Sequence, residues 1–227
     1  MKLFILIPII FMFSVLADQP DELGSFRITD GEHQTIDNRS CVYSQTWNYS
    51  EWVTGYSNYG AGDRWVCDDF ILTDDCTIDS IVVWEMYPGG RPSWMNIVFS
   101  EDTGDSDPNT AVEVWSASAP CQNWFTGQPP YDSYKTTIFV IESGESPPEL
   151  SAGTRYWLEV QADIVDNCFL LVCRWANGSF TWYNDGSGVW VRSDIMFGVG
   201  TDAFFDLYGY ETSALESSTW GSIKTLF

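Results

Sequence analysis

Histidine and lysine are nearly missing from this chain: His33 is the only histidine, and the lysines are Lys2, Lys135 and Lys224. With His33 in a polar N-terminal stretch, a Ser-His-Asp triad or a Cys-His pair has no base, and a histidine-built zinc site has no ligands. Two lysines after the N-terminal segment leave amine catalysis little to work with. No segment keeps a helical period with caps, so no Gly-rich loop opens a helix onto a phosphate. Nucleotides and redox cofactors therefore have no foothold. Positive charge of any kind is scarce: 10 Lys and Arg stand against 32 Asp and Glu, a formal net charge of −22. Such a surface repels phosphate backbones and anionic lipid heads, which excludes nucleic acid and membrane-surface partners. Divalent cations and neutral polymers such as glycans remain compatible, and the charge also confers solubility.

Long apolar runs are lacking after the first one. Lys2, the apolar "LFILIPIIFMF" and the small residues Val15 and Ala17 of "SVLA" form the three parts of a secretory signal over residues 1–17. The run is shorter than the ~20 residues of a membrane-spanning helix and has no basic stop-transfer flank. The expectation is an exported chain starting near Asp18, and not an integral membrane protein after cleavage. Residues 18–40 are polar and read as a loose leader, residues 41–211 as a single β-domain, and residues 212–227 as a linker and tail.

What is present is aromatic and sulfur-rich. Aromatic residues make up 16% of the chain, with 12 Trp, which is incompatible with a disordered acidic tail. All six cysteines, Cys41, Cys67, Cys76, Cys121, Cys168 and Cys173, lie in the exported part, where disulfides are expected. Cys168 and Cys173 flank the strand-like "FLLV", which holds their Cα atoms about 16 Å apart, beyond the ~7 Å limit for a bridge. In "VCDDFILTDDC" a local clip between Cys67 and Cys76 is disfavoured for the same reason. Phe70 and Leu72 are expected in the core, Asp69 and Ile71 on the other face, and Asp74 and Asp75 in a turn.

Alternation with period two recurs along the chain. "TRYWLEVQA" sets Tyr156, Leu158 and Val160 against Arg155, Trp157, Glu159 and Gln161; "WMNIVFSED" sets Met95, Ile97 and Phe99 against Asn96, Val98 and Ser100. Similar β-branched and aromatic runs are separated by "PGGRPS", "TGDSDPN", "GQPP", "SGESPP", "SAG" and "NDGSG". "NDGSG" reads as a hairpin, and Gly153 as a left-handed turn residue. Roughly ten such strands predict an all-β, antiparallel β-sandwich or barrel.

"RWVCDDFILTDDCTIDSIVVW", "NIVFSEDTGDSDPN", "AGTRYWLEVQ" and "AFFDLYG" together resemble a family of secreted bacterial jelly-roll modules, over about residues 55–210. The resemblance implies a single-domain jelly-roll β-sandwich, exported and often surface-associated, with no established catalytic activity. Cys67 and Cys173 depart from that family's apolar choices, so no disulfide pattern carries over. The tail "SSTWGSIKTLF" resembles short C-terminal sorting segments with Trp-Gly-x-Ile-Lys; a frayed last strand explains it equally.

Three kinds of chemistry stay open. Paired carboxylates can hydrolyse polysaccharide, and Glu85, Glu113 and Glu159 are candidates, but 32 acidic residues make almost any pair nominable. Calcium takes six to eight oxygens, and Glu101, Asp102, Asp105, Asp107 and Asn109 of "EDTGDSDPNT" offer several. Thr110 and Ser116 stand where an EF-hand starting at Asp105 needs Gly and Glu, so this is at most an irregular structural Ca²⁺ loop; a self-held Asp/Gly/Pro turn is the simpler account. Exposed Trp stacks on sugar rings, and Trp115, Trp157 with Glu159, and Trp190 fall on polar strand faces, although sandwich cores also use Trp. "NRS", "NYS" and "NGS" make Asn38, Asn48 and Asn177 formal glycosylation acceptors. The sequence thus leads to a secreted or cell-surface, non-catalytic module for an extracellular glycan or protein. A polysaccharide hydrolase and a structural subunit of a surface layer or fibre are the alternatives.

Overall fold

The computed structural model describes residues 40–45, 53–58, 63–87, 90–126, 133–164, 168–173, 180–198 and 200–212. The signal, the leader up to residue 39, the glycosylation acceptors Asn38, Asn48 and Asn177 and the tail beyond residue 212 lie outside them. The strands are β1 Ser40–Gln45, β2 Val53–Ser57, β3 Trp65–Ile71, β4 Cys76–Met86, β5 Trp94–Glu101, β6 Val112–Phe125 and β7 Ser133–Ile138. They continue as β8 Glu149–Leu150, β9 Arg155–Ala162, β10 Phe169–Cys173, β11 Trp182–Asn184, β12 Val191–Arg192, β13 Asp202–Ala203 and β14 Phe205–Glu211. One short helix, α1 Ser193–Phe197, follows β12. Among the described residues no helix is long and apolar enough to cross a membrane.

Every strand pairing is antiparallel, and ten strands form a continuous path, β1-β14-β4-β7-β6-β5-β9-β3-β11-β12. The chain is therefore all-β, as its alternation predicts, but the sheet is single and curled rather than split into two separate sheets. Strand β6 makes the corner. Its residues up to Pro120 pair with β5, and those from Cys121 onward pair with β7. Pro120, which has no N–H to donate, stands where the partner changes. Strand β10 pairs with β2, β13 and the end of β4.

Curling brings the inward faces together. Tyr156, Leu158, Val160, Met95, Ile97, Phe99, Phe70 and Leu72 are all buried, as alternation requires. Phe70 is the hub: its ring lies 5.5 Å from Tyr43 on β1, 5.9 Å from Phe99 on β5, 5.8 Å from Tyr156 on β9 and 6.0 Å from Phe205 on β14. Offset and edge-on aromatic pairs contribute about 0.5–1.5 kcal/mol each beyond burial. Strand β4 is buried along most of its length, which explains why "TIDSIVVW" lacks clean alternation.

The local punctuation works as its residues dictate. Ile71 ends β3, residues 72–75 turn the chain, and Cys76 opens β4. "NDGSG" connects β11 to β12, which pair Trp182 with Arg192. Gly153 sits at φ 71°, where a side chain is strained.

The expected disulfides are not what the structure holds. Cys67, Cys76, Cys121 and Cys168 are free thiols; the side chains of Cys41 and Cys173 lie outside the described residues. The four thiols serve different neighbourhoods. Cys67 lies between Glu159 and Trp182 in register, and Cys76 opposes Leu150. Cys121 Sγ donates to the Pro92 carbonyl at 3.4 Å, and Cys168 Sγ donates to Glu85 Oε1 at 3.4 Å. Burial pushes the Cys67 thiol well up and that of Cys121 to about 12, so both are protonated and inert at neutral pH.

Gly209 marks the closest backbone approach. Strand β14 carries a bulge at Tyr208/Gly209 against β4, and a Cβ at Gly209 would run into the Thr77 carbonyl oxygen and come within 3.2 Å of Ile78 Cα. Backbone cannot step aside as a flexible side chain can. Gly209→Ala is expected to destabilise the protein by about 1–3 kcal/mol or more, read as a lowered urea midpoint. A midpoint equal to wild type would show that the two strands are not packed this closely.

Candidate functional site

Strand β3 sends alternate residues to opposite sides. Phe70 goes into the core, and Asp69 and Ile71 go outward, beside a cleft of about 630 Å³. Across β3 and β9, Asp69 stands opposite Trp157, and Ile71 opposite Arg155. The diagonal neighbours meet: Arg155 Nη1 lies 3.0 Å from Asp69 Oδ2. Asp69 is buried, the Arg155 side chain is 33% exposed, and the second oxygen, Asp69 Oδ1, has no hydrogen-bond partner among the described residues. Trp157 packs edge-on against Trp182 of β11, with ring centroids 6.1 Å apart.

The opposite wall comes from the end of the sheet. Arg192 lies over Phe180, its guanidinium carbon 4.4 Å from the ring centroid. It also grips Asp194 of α1 through two bonds, of 2.6 and 2.8 Å. That fork holds the half-buried Asp194 carboxyl below its ordinary range and raises Arg192. Tyr43 and Ser44 of β1, Phe70 between Asp69 and Ile71, and Ser106 of the acidic loop complete the lining.

A buried carboxyl stands behind this wall. Asp68 Oδ2 accepts from Gln45 Nε2 at 3.0 Å, from Thr181 Oγ1 at 3.2 Å and from the Ala203 amide, while Asp68 Oδ1 accepts from the Asp69 amide. Burial, followed by Asp202 and Asp69, pushes the Asp68 carboxyl well above its ordinary value. It ties β1 and β13 to the Thr181 segment. Phe180 and Trp182, on either side of Thr181, thereby keep their places on the cleft.

The residues singled out from the sequence do not gather into one site. Trp157 lines the cleft but is only 1% exposed, so it is a wall and not an open stacking platform. Its neighbours across the sheet and Trp182 cover it, which alternation along β9 alone does not reveal. Trp115 is half-buried against Phe99, and its Nε1 donates to the Ser146 carbonyl at 2.8 Å. Trp190 is half-buried, with its amide donating to Asn109 Oδ1 at 2.7 Å and its carbonyl accepting from Asn109 Nδ2 at 3.0 Å. Glu159 accepts from Ser100 Oγ at 2.8 Å and does not line the cleft.

The acidic loop holds itself. Asp102 Oδ2 accepts from the Gly104 amide, Asp105 Oδ1 from the Asp107 amide and Thr110, and Asp107 Oδ1 from the amide and side chain of Asn109. These are turn contacts of the kind Asp and Asn make with nearby backbone. Among the described residues no group of three or more His, Cys, Asp or Glu is placed to hold a metal, and the carboxylates of Asp102, Asp105 and Asp107 are used on the loop itself, beside Glu101 and Asn109. Through Asn109 the loop is instead fastened to the β11–β12 connection, which sets Ser106 at the cleft rim.

The candidate hydrolytic carboxylates are also scattered. Glu113 is exposed and accepts from Ser116 Oγ. Glu85 is fully buried; it accepts from Tyr87 Oη, from Asn58 Nδ2 at 3.0 Å and from Cys168 Sγ, and burial pushes its carboxyl up. Neither lines the cleft.

Sequence reasoning missed Asp69, Arg155, Trp182, Phe180 and Arg192 as a set, because they come from distant segments joined only by strand pairing. It also missed a surface row on the other arm of the sheet. Trp84, Lys135 and Trp124 stand side by side on β4, β7 and β6, with Lys135 Nζ 5.2 Å from the Trp84 ring centroid. No family model and no curated protein matches this chain. Its chemistry has to be read from the cleft itself.

Glu159 offers a pH test of the packing on this face. Burial is the main cause that raises its carboxyl to about 6; Ser100 opposes it and Glu113 reinforces it. An unfolded Glu titrates near 4.3. Between these values the folded state keeps a proton that the unfolded state releases, so stability falls as pH rises from about 4.3 to about 6 and this contribution is level above. Thermal melts of Glu159→Gln should lose that part of the slope; a pH profile parallel to wild type would place Glu159 in water.

Proposed function

We propose that the protein is an exported, non-catalytic binding module of jelly-roll type, and that its cleft takes carbohydrate. The observation that carries this reading is the composition of one cleft: the rings of Trp182 and Phe180 beside the Arg155–Asp69 pair. A sugar presents an apolar face that stacks on aromatic rings and hydroxyls that need donors and acceptors at fixed places. The secretory signal over residues 1–17 puts the module where glycans are met. A cleft of about 630 Å³ matches the size of small-ligand sites and accommodates a short oligosaccharide segment rather than a folded partner. None of Glu85, Glu113 and Glu159 lines it, which favours binding over hydrolysis.

A glycan array followed by calorimetry tests the reading. Trp182→Ala should weaken binding to the best glycan by more than tenfold, about 1.4 kcal/mol, with an unchanged circular-dichroism spectrum. Wild-type affinity in that variant, or a wild-type protein silent on the whole array, would remove the cleft from consideration as a sugar site.

A further inference from the structure

We infer that the cleft selects acidic sugars, a uronic-acid unit whose carboxylate docks on Arg155 and whose neighbouring hydroxyl docks on Asp69. This deepens, and rests on, the carbohydrate reading of the same cleft.

The first observation is where the few cations are. Among the described residues the Lys and Arg are Arg64, Arg91, Lys135, Arg155 and Arg192, and two of these five line this cleft. Each is matched by one carboxylate, Arg155 by Asp69 and Arg192 by Asp194, so the cleft is locally close to neutral in a chain of net charge −22. At physiological salt the Debye length is about 8 Å, and the distant carboxylates are largely screened. The local guanidinium, not the overall charge, decides what enters.

The second observation separates the two arginines. Arg192 is committed on both sides, over Phe180 and bidentate to Asp194. Arg155 gives Nη1 to Asp69 Oδ2 and remains 33% exposed, which leaves the other N–H groups of its fork for a ligand. A planar carboxylate fits that fork better than a neutral hydroxyl, through charge-assisted bonds.

The third observation is the unmet oxygen. Asp69 is buried to more than nine-tenths and lines the cleft, yet its Oδ1 has no partner among the described residues. A buried carboxylate oxygen needs a donor, and a ligand carboxylate cannot supply one. A uronate brings both groups on one ring: the carboxylate accepts from Arg155, and a ring hydroxyl donates to Asp69 once its carboxyl turns Oδ1, closed to solvent in the free protein, toward the cleft. The ring's apolar face then lies against Trp182 or Phe180. A simple carboxylate would leave Asp69 unmet, and a neutral sugar would leave the Arg155 fork without an anion.

Calorimetry with oligogalacturonate, alginate and hyaluronan oligosaccharides, each beside its methyl-esterified counterpart, tests this. At least one acidic oligosaccharide should bind more than tenfold tighter than its ester and weaken as salt is raised. Arg155→Gln should abolish that preference. Because this change strands Asp69, the double variant Arg155→Gln/Asp69→Asn is measured beside it, and it should bind acid and ester alike. Equal affinity of wild type for acid and ester would overturn the acidic-sugar inference while leaving carbohydrate binding in place. Binding of none of these, with neutral glycans still captured in a Trp182-dependent way, would overturn it too. Failure on every glycan, acidic or neutral, would bring down the carbohydrate reading with it.

Discussion

Phe70 is the residue on which the architecture turns. A curled sheet of ten path strands needs something to hold its two arms closed, and the described cysteines do not do it. One ring on β3 touches rings on β1, β5, β9 and β14, which spans the interior from one arm to the other. Truncating such a ring in a packed core costs about 3–5 kcal/mol, a large share of the stability of any domain. The same side chain sets the cleft, because period two forces Asp69 outward wherever Phe70 points inward. Core and cleft are two faces of one strand.

Acid without base is the second constraint. With so few cations, the interior cannot neutralise carboxyls by ion pairing, and only Arg155–Asp69 and Arg192–Asp194 are bridges among the described residues. Asp68, Glu85 and Asp206 are buried instead with hydroxyl, amide, thiol and backbone donors, and burial raises all three. Hydrogen bonding makes these carboxyls tolerable inside. It also fixes the cleft wall, since Asp68 anchors Thr181 between Phe180 and Trp182. Two of the scarce arginines, Arg155 and Arg192, are thereby held at the cleft.

Much of this was legible in local patterns. "TRYWLEVQA" and "WMNIVFSED" named their core residues correctly, and "VCDDFILTDDC" resolved into a strand, a turn and the start of another strand. Periodicity reports one strand and its two faces. It does not report what lies against the second face, and so Trp157, on the polar side of β9, was expected at the surface and is buried. Continuity of hydrogen bonding through β6 was equally hidden, because a long strand that changes partner at Pro120 looks like any other strand. The acidic loop was legible as a choice: Asp at alternating positions suits calcium and self-held turns alike, the turn was the simpler account, and its carboxylates do accept from its own amides. The cleft itself joins residues 69, 155, 182 and 192, a juxtaposition that no single segment encodes.

The indole N–H signals of the tryptophans test the central claim, that this cleft is where ligand binds. In ¹⁵N-labelled protein titrated with an acidic oligosaccharide, the signals of Trp157 and Trp182 should move together while those of Trp84 and Trp124, on the other arm, stay in place. Movement of Trp84 and Trp124 alone would put the ligand on the flat row beside Lys135 and contradict the account.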